Sequence, residues 1–238
     1  MDRIEKLQSK KEIKIIACYD SSFAGWLEKH HCDALLVGDS LGIFVKGDIS
    51  TKGVILDDML YHTKAVKSGT KSIPIISDMP RNTFNTKRIA LKNASKLIEA
   101  GADMVKIEGD IDIYPIIGHL VQHGIKVCGH IGFTPQTTDK PKKKYDPKVF
   151  LGKAKCIEAS GASLIVLSMM GEEVDHLITK NLHIPTISFR SSNNCNGSVE
   201  ILHDLLGIGS SSYPFKKNKL QQLAHSPEQL INSFLKKS

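Results

Sequence analysis

Three apolar runs in this chain of 238 residues each end in a carboxylate. Leu35-Leu36-Val37-Gly38 leads into Asp39 and Ser40, Ile73-Pro74-Ile75-Ile76-Ser77 into Asp78, and Met104-Val105-Lys106-Ile107 into Glu108. A buried strand that ends this way delivers its carboxylate to a solvent-facing mouth. Three such ends in succession point to a metal site or an acid/base site. Singly, each reads as a capping or solvated carboxylate; the repetition favours a site. Lys106 adds an ammonium inside an apolar run, where burial without a partner is costly, so it reads as functional. Ser40 either caps a turn or, following Asp39, donates to a ligand. His130, between Gly129 and Gly132, is either a hydrogen-bonded core histidine or a functional one.

The elements that must position these residues follow from periodicity and punctuation. Strands are expected at Ile13 to Cys18, Ala34 to Val37, Ile73 to Ser77, Met104 to Ile107, Lys126 to His130, Leu164 to Leu167 and Ile184 to Phe189. Helices are expected between them, over Ser21 to Lys29, Met59 to Lys67, Thr86 to Ala100, Ile116 to His123, Phe150 to Ser160 and Val174 to Asn181. Gly69, Gly101 and Gly124 act as stops. Gly42 to Gly53 and Thr134 to Pro147 read as loops, Val199 to Leu206 as a short helix, and Ser226-Pro227 as the opening of a last helix. The unit from Glu99 to Glu108 is echoed from Glu158 to Ser168: helix end, glycine, strand, polar residue. Counted from Gly101 and Gly161, Ser168 occupies the place of Glu108, so both should face one mouth.

Alternating short strands and helices imply a parallel sheet, and seven or eight strands imply a (β/α)8 TIM barrel, one domain over residues 1–238. No Gly-x-Gly-x-x-Gly and no phosphate-binding Gly-Lys-Ser/Thr is present, which removes the best support for a nucleotide fold. Five scattered cysteines without a Cys-x-x-Cys pair read as reduced thiols. No apolar run nears the ~20 residues of a membrane helix, and the charged start has no signal-peptide core, so a cytoplasmic protein is expected. The net charge of +7 is concentrated at Lys140 to Lys144 and near Lys216, Lys217 and Lys219, without interleaved aromatics. Solvated loops rank first there, attraction of a small anion second, and nucleic acid a distant third.

Six ordered motifs then carry a resemblance: Tyr19-Asp20-x-Ser-Phe23-Ala24, Leu36 to Gly42, Tyr61-His62-Thr63, Asp78-x-Pro80, Gly101 to Gly109 and Val127 to Gln136. Together they resemble the ketopantoate hydroxymethyltransferase family over Ile13 to Gln136, with weaker similarity to about Leu206. The resemblance implies a (β/α)8 barrel of the phosphoenolpyruvate/pyruvate superfamily, a homo-oligomer and commonly a decamer. It implies hydroxymethyl transfer from 5,10-methylenetetrahydrofolate to the 2-oxo acid 3-methyl-2-oxobutanoate, in pantothenate biosynthesis. Carried over by position, Asp39 and Asp78 would be ligands of Mg²⁺ with Glu108 in support. Ser40 and Lys106 would hold the substrate carboxylate and oxo group, and His130 would lie beside the substrate.

The family's base is a glutamate at the end of the sixth strand, and here that position is Ser168. A neutral serine cannot take a C3 proton without an activating partner. Glu172 and Glu173 follow; Glu172 is a substitute base if it swings back, and a first-turn helix carboxylate otherwise. The loop Thr138 to Tyr145 and the exit Ser188 to Asn194 also depart from the family pattern. Three readings stay open: a hydroxymethyltransferase with a relocated base, a related 2-oxo acid lyase or aldolase, and a catalytically impaired homologue that binds metal or oxo acid.

Overall fold

The computed structural model describes residues 2–208. The helix expected from Ser226 and the lysines 216, 217 and 219 lie outside these residues. Eight strands close into a parallel barrel in chain order, β1-β2-β3-β4-β5-β6-β7-β8, with β8 pairing back onto β1. The strands are β1 (Ile13–Ala17), β2 (Ala34–Val37), β3 (Ile75–Asp78), β4 (Met104–Glu108), β5 (Val127–Gly132), β6 (Leu164–Ser168), β7 (Thr186–Phe189) and β8 (Gly197–Ile201). The helices are α1 (Arg3–Gln8), α2 (Ser21–Lys29), α3 (Leu41–Phe44), α4 (Leu56–Ser68), α5 (Lys87–Glu99), α6 (Tyr114–Gln122), α7 (Pro147–Ala159), α8 (Glu172–Asn181) and α9 (Leu202–Leu205).

Three differences from the sequence expectation have local causes. The segment read as a helix from Val199 is strand β8 followed by the short α9, because Gly197–Ile201 hydrogen-bonds to both β1 and β7. The segment Gly42 to Gly53 holds most of α3 and a 3-10 turn, Thr51–Gly53. The charged N-terminus contains α1, started by a reciprocal cap between Asp2 and Glu5. Ile4 and Leu7 of α1 pack with the lower interior of the barrel. Gln8 and Arg3 reach Ser163 and Asp103, at the N-terminal ends of β6 and β4.

Strand alternation sorts the side chains. Outward residues such as Leu35, Ile75, Val105, Val127 and Ile165 pack beneath the helices, each contributing about 1.5–3 kcal/mol on burial. Inward residues begin with an apolar floor of Ile13, Ile15, Met104, Leu164 and Ile187. Two residues further along β4 the inward positions are Lys106 and Glu108; along β6 they are Val166 and Ser168. Ser77 faces outward and meets Thr63 of α4 at 3.0 Å, so its neighbour Asp78 faces in. Gly101 and Gly161, with φ of 114° and 92°, turn the chain from α5 into β4 and from α7 into β6, which is the anticipated echo in backbone form.

Candidate active site at the barrel mouth

At the C-terminal ends of the strands lies a cavity of about 50 Å³, several times the ~10–15 Å³ one water needs, and suited to a small molecule. Asp39, Ser40, Asp78, Lys106, Glu108, His130 and Ser168 all line it. Ala17, Leu36, Val166, Phe189, Val199 and Ile201 form its apolar side.

The polar side is one bonded network. Lys106 Nζ donates to Asp78 Oδ1 at 2.5 Å, and the register pairs these two residues across β3 and β4. The other Asp78 oxygen accepts from the backbone N–H of Asp39 at 3.0 Å. A side chain at Gly38 would bring its Cβ to 2.9 Å from Ser40 Oγ and 3.6 Å from Asp78 Oδ2, so the absence of one there lets β2 and β3 meet. Gln136 clamps the network from the β5–α7 loop. Its Nε2 donates to Asp39 Oδ2 at 2.8 Å and to the Met79 carbonyl at 3.1 Å, and its backbone N–H donates to Glu108 Oε1 at 2.7 Å. Ser40 shares a 2.8 Å hydrogen bond with the Tyr19 hydroxyl.

Electrostatics follow from crowding. Burial, reinforced by the charges of Asp78 and Glu108, pushes the Asp39 carboxyl well above the usual carboxylate range. Burial also carries Glu108 up to about 8, against the pull of Lys106. Burial works against the Lys106 charge, but Asp78, Asp39 and Glu108 outweigh it and hold the ammonium protonated. Three carboxylates face this one buried ammonium, so the fully ionised cluster carries two negative charges in excess. Among the described residues no three acidic, histidine or cysteine side chains converge tightly enough to enclose a metal by themselves.

His130 is neutral: burial, followed by the Lys106 charge, lowers it to about 3. Its Nδ1 lies 3.1 Å from Glu108 Oε2 in a direction poor for a hydrogen bond, and its Nε2 has no hydrogen-bond partner among the described residues. Ser168 is fully buried, and its Oγ has no hydrogen-bond partner among the described residues. Glu172 does not reach the cavity. After the turn at Gly171 (φ 93°) it opens α8 on the exposed surface, where Asn194 Nδ2 donates to it at 3.4 Å. It stands in the first turn of α8, apart from the residues that line the cavity. Tyr19, Gln136 and Phe189 join the site although sequence reasoning did not select them. The first two stood within the resembling motifs, but nothing in their residue types marked them.

A closed parallel (β/α)8 barrel with its charged cluster at the C-terminal mouth defines an enzyme of the barrel class. The sequence profile of the ketopantoate hydroxymethyltransferase family matches residues 1–237. The chain belongs to that family, whose members are transferases. It is 36% identical to the 3-methyl-2-oxobutanoate hydroxymethyltransferase of Pseudoalteromonas translucida (strain TAC 125), covering 94% of this chain and 89% of the relative. It is 40% identical to the enzyme of that name from Wigglesworthia glossinidia brevipalpis, covering 90% and 85%. In fold it is similar to 2,3-dimethylmalate lyase, a member of the PEP mutase/isocitrate lyase superfamily, with a TM-score of 0.65 over 84% of this chain and 80% of that one at 15% identity. No helix of the described residues is long and apolar enough to cross a membrane.

Proposed function

We propose that this chain transfers a hydroxymethyl group from 5,10-methylenetetrahydrofolate to 3-methyl-2-oxobutanoate, the acceptor in its relatives' names, giving 2-dehydropantoate and tetrahydrofolate with uptake of water. The observation that carries the proposal is the buried cluster of Asp39, Asp78 and Glu108 with Lys106, which has two negative charges in excess beside an apolar wall. That excess fits a divalent cation. Mg²⁺ characteristically keeps several waters and needs only one or two protein carboxylates, so an open donor set suits it. Asp39 and Asp78 would hold the ion, with Glu108 in support. When bound, Mg²⁺ supplies Lewis-acid stabilisation of the charge that develops on the oxo oxygen as C3 loses its proton.

The remaining roles belong to the chain's own groups. Lys106 and the Tyr19-oriented Ser40 hydroxyl bind the carboxylate and oxo group of the acid. Leu36, Val166, Val199 and Ile201 receive its branched alkyl end and exclude water. Ser168 cannot accept the C3 proton unaided. The neutral imidazole of His130, which lines the cavity beside Glu108, is the group assigned as base. Exposed Trp26 and Tyr61, on the neighbouring helices α2 and α4, support a homo-oligomer, and a cytoplasmic location fits the same reading.

Ser168 also carries a second reading, a homologue that binds the acid without turning it over. Proton exchange at C3 of 3-methyl-2-oxobutanoate in D₂O with Mg²⁺, followed by NMR, separates the two. Protein-dependent exchange that is lost in His130→Asn is the expected result. Binding of the acid without any exchange would overturn turnover in favour of the second reading.

A further inference from the structure

Beyond the residues discussed so far, the cavity has one more polar wall, and it comes from a loop. Thr51 heads the 3-10 turn Thr51–Gly53, lines the cavity, and is 2% exposed. Its Oγ1 is fully buried and has no hydrogen-bond partner among the described residues. A buried hydroxyl left unpaired costs about 1–3 kcal/mol, and folded proteins rarely keep one without use. The lining of this same cavity includes two more such residues, His130 and Ser168. Unsatisfied polar atoms gathered around one small cavity are what a site looks like when its hydrogen bonds are completed by a ligand.

The turn is fixed in place rather than loosely draped. It packs on α3, the helix headed by Ser40, which puts Thr51 and Ser40 on the same side of the cavity. Gly42 of α3 sits so close that an added Cβ would lie 2.8 Å from Val54 Cγ2 and 3.2 Å from the Ser50 carbonyl. On the other flank, Lys52 reaches Asp139 of the β5–α7 loop at 2.5 Å. A preorganised hydroxyl lining the same cavity as Ser40 and the Lys106 ammonium is complementary to an anion with several acceptor oxygens.

We infer that Thr51 is a substrate-binding residue whose hydroxyl donates a hydrogen bond to the carboxylate of the bound 2-oxo acid, alongside Ser40. This assignment rests on the proposed binding of 3-methyl-2-oxobutanoate in the cavity. It makes a prediction opposite in sign to that of a structural threonine. Replacing an orphan hydroxyl by a methyl of the same shape removes a desolvation cost, so Thr51→Val should fold at least as stably as the parent. The same change should weaken acid binding by about tenfold to a hundredfold, the worth of a hydrogen bond to a charged group.

The test is calorimetric titration of the full chain with 3-methyl-2-oxobutanoate and Mg²⁺, without folate, together with thermal unfolding of the ligand-free proteins. Thr51→Val should keep or raise the melting temperature and lose affinity, while Thr51→Ser should retain affinity within a few fold. Equal affinity of Thr51→Val and the parent would overturn the inference and leave the proposed function standing. A lowered melting temperature, or failure of Thr51→Val to fold, would show that the hydroxyl serves the fold and would overturn it as well. No binding by the parent would sink both, and that outcome is distinguishable because it does not depend on the variant.

Discussion

Strands β4 and β6 are the same backbone device carrying different chemistry. Each follows a helix, a left-handed glycine, an alanine and one polar residue, each runs for five buried residues, and each ends at the mouth cavity. Their inward positions read Met104, Lys106, Glu108 and Leu164, Val166, Ser168. The first layer is interchangeable; the next two hold all the difference. On the β4 side the cavity is charged and crowded, with Asp39, Asp78, Lys106 and Glu108 held in one hydrogen-bonded network through Gln136. On the β6 side it is apolar, ending in a hydroxyl that bonds to nothing among the described residues. The charged half of the mouth is therefore the half to which the proposed binding and polarising of the acid belongs, and the other half offers a neutral hydroxyl at the position matching Glu108.

The comparison breaks hardest at its second layer. Lys106→Met leaves the Asp78 carboxylate and its neighbours without their buried cation. Loss of one partner from a buried pair costs about 3–5 kcal/mol, and urea unfolding in metal-free buffer at neutral pH should show that cost. Binding of the oxo acid should be lost with it. The matching change on β6, Val166→Met, alters only packing and should cost about 1–3 kcal/mol, with its effect confined to the alkyl side of the cavity. Equal costs for the two variants would mean that Lys106 contributes only bulk.

The third layer sharpens the comparison. Ser168→Glu gives β6 the carboxylate that β4 already has. If the proposed reaction is limited by the want of a carboxylate at this position, C3 proton exchange should rise by about 10²–10⁴-fold, the usual worth of a positioned general base. An unchanged rate alongside intact acid binding would mean that more of the mouth than one residue has changed.

Much of this contrast could be read from the chain because period-2 alternation is strict. Once Met104 to Glu108 is a strand, Lys106 and Glu108 must share a face, and the equal offsets from Gly101 and Gly161 put Ser168 level with Glu108. What escaped were residues placed by contacts distant in sequence. Strand β8 reads Gly-Ser-Val-Glu-Ile, with only two large apolar side chains; its identity comes from closure against β1, far back in the chain. The helix α1 has only Ile4 and Leu7 buried within a charged stretch, a signal too short for periodicity. Thr51 sits in Ser-Thr-Lys-Gly, a sequence that says turn and nothing about a cavity. Glu172 was legible as a helix start, and the exit of β6 fixed that outcome.

A further expected effect concerns how the β4 half tolerates its own charge. Glu108 is raised to about 8 and Asp39 well above the usual range, chiefly by burial. A carboxyl with a raised folded-state pKa binds its proton more tightly in the native than in the unfolded protein. Its stabilising contribution is complete below the unfolded value near 4.5 and is lost as pH rises through about 8. In the presence of a chelator the melting temperature should therefore fall by several degrees between about pH 5 and pH 8. Mg²⁺ should restore most of that loss at pH 8 and little at pH 5, because a cation and a proton compete for the same oxygens. Ser168 and Val166 do not titrate, so variants at β6 that keep neutral side chains should leave this pH dependence unchanged. A melting temperature that is flat across the range, or a Mg²⁺ effect as large at pH 5 as at pH 8, would mean that the β4 carboxylates are not the groups under strain.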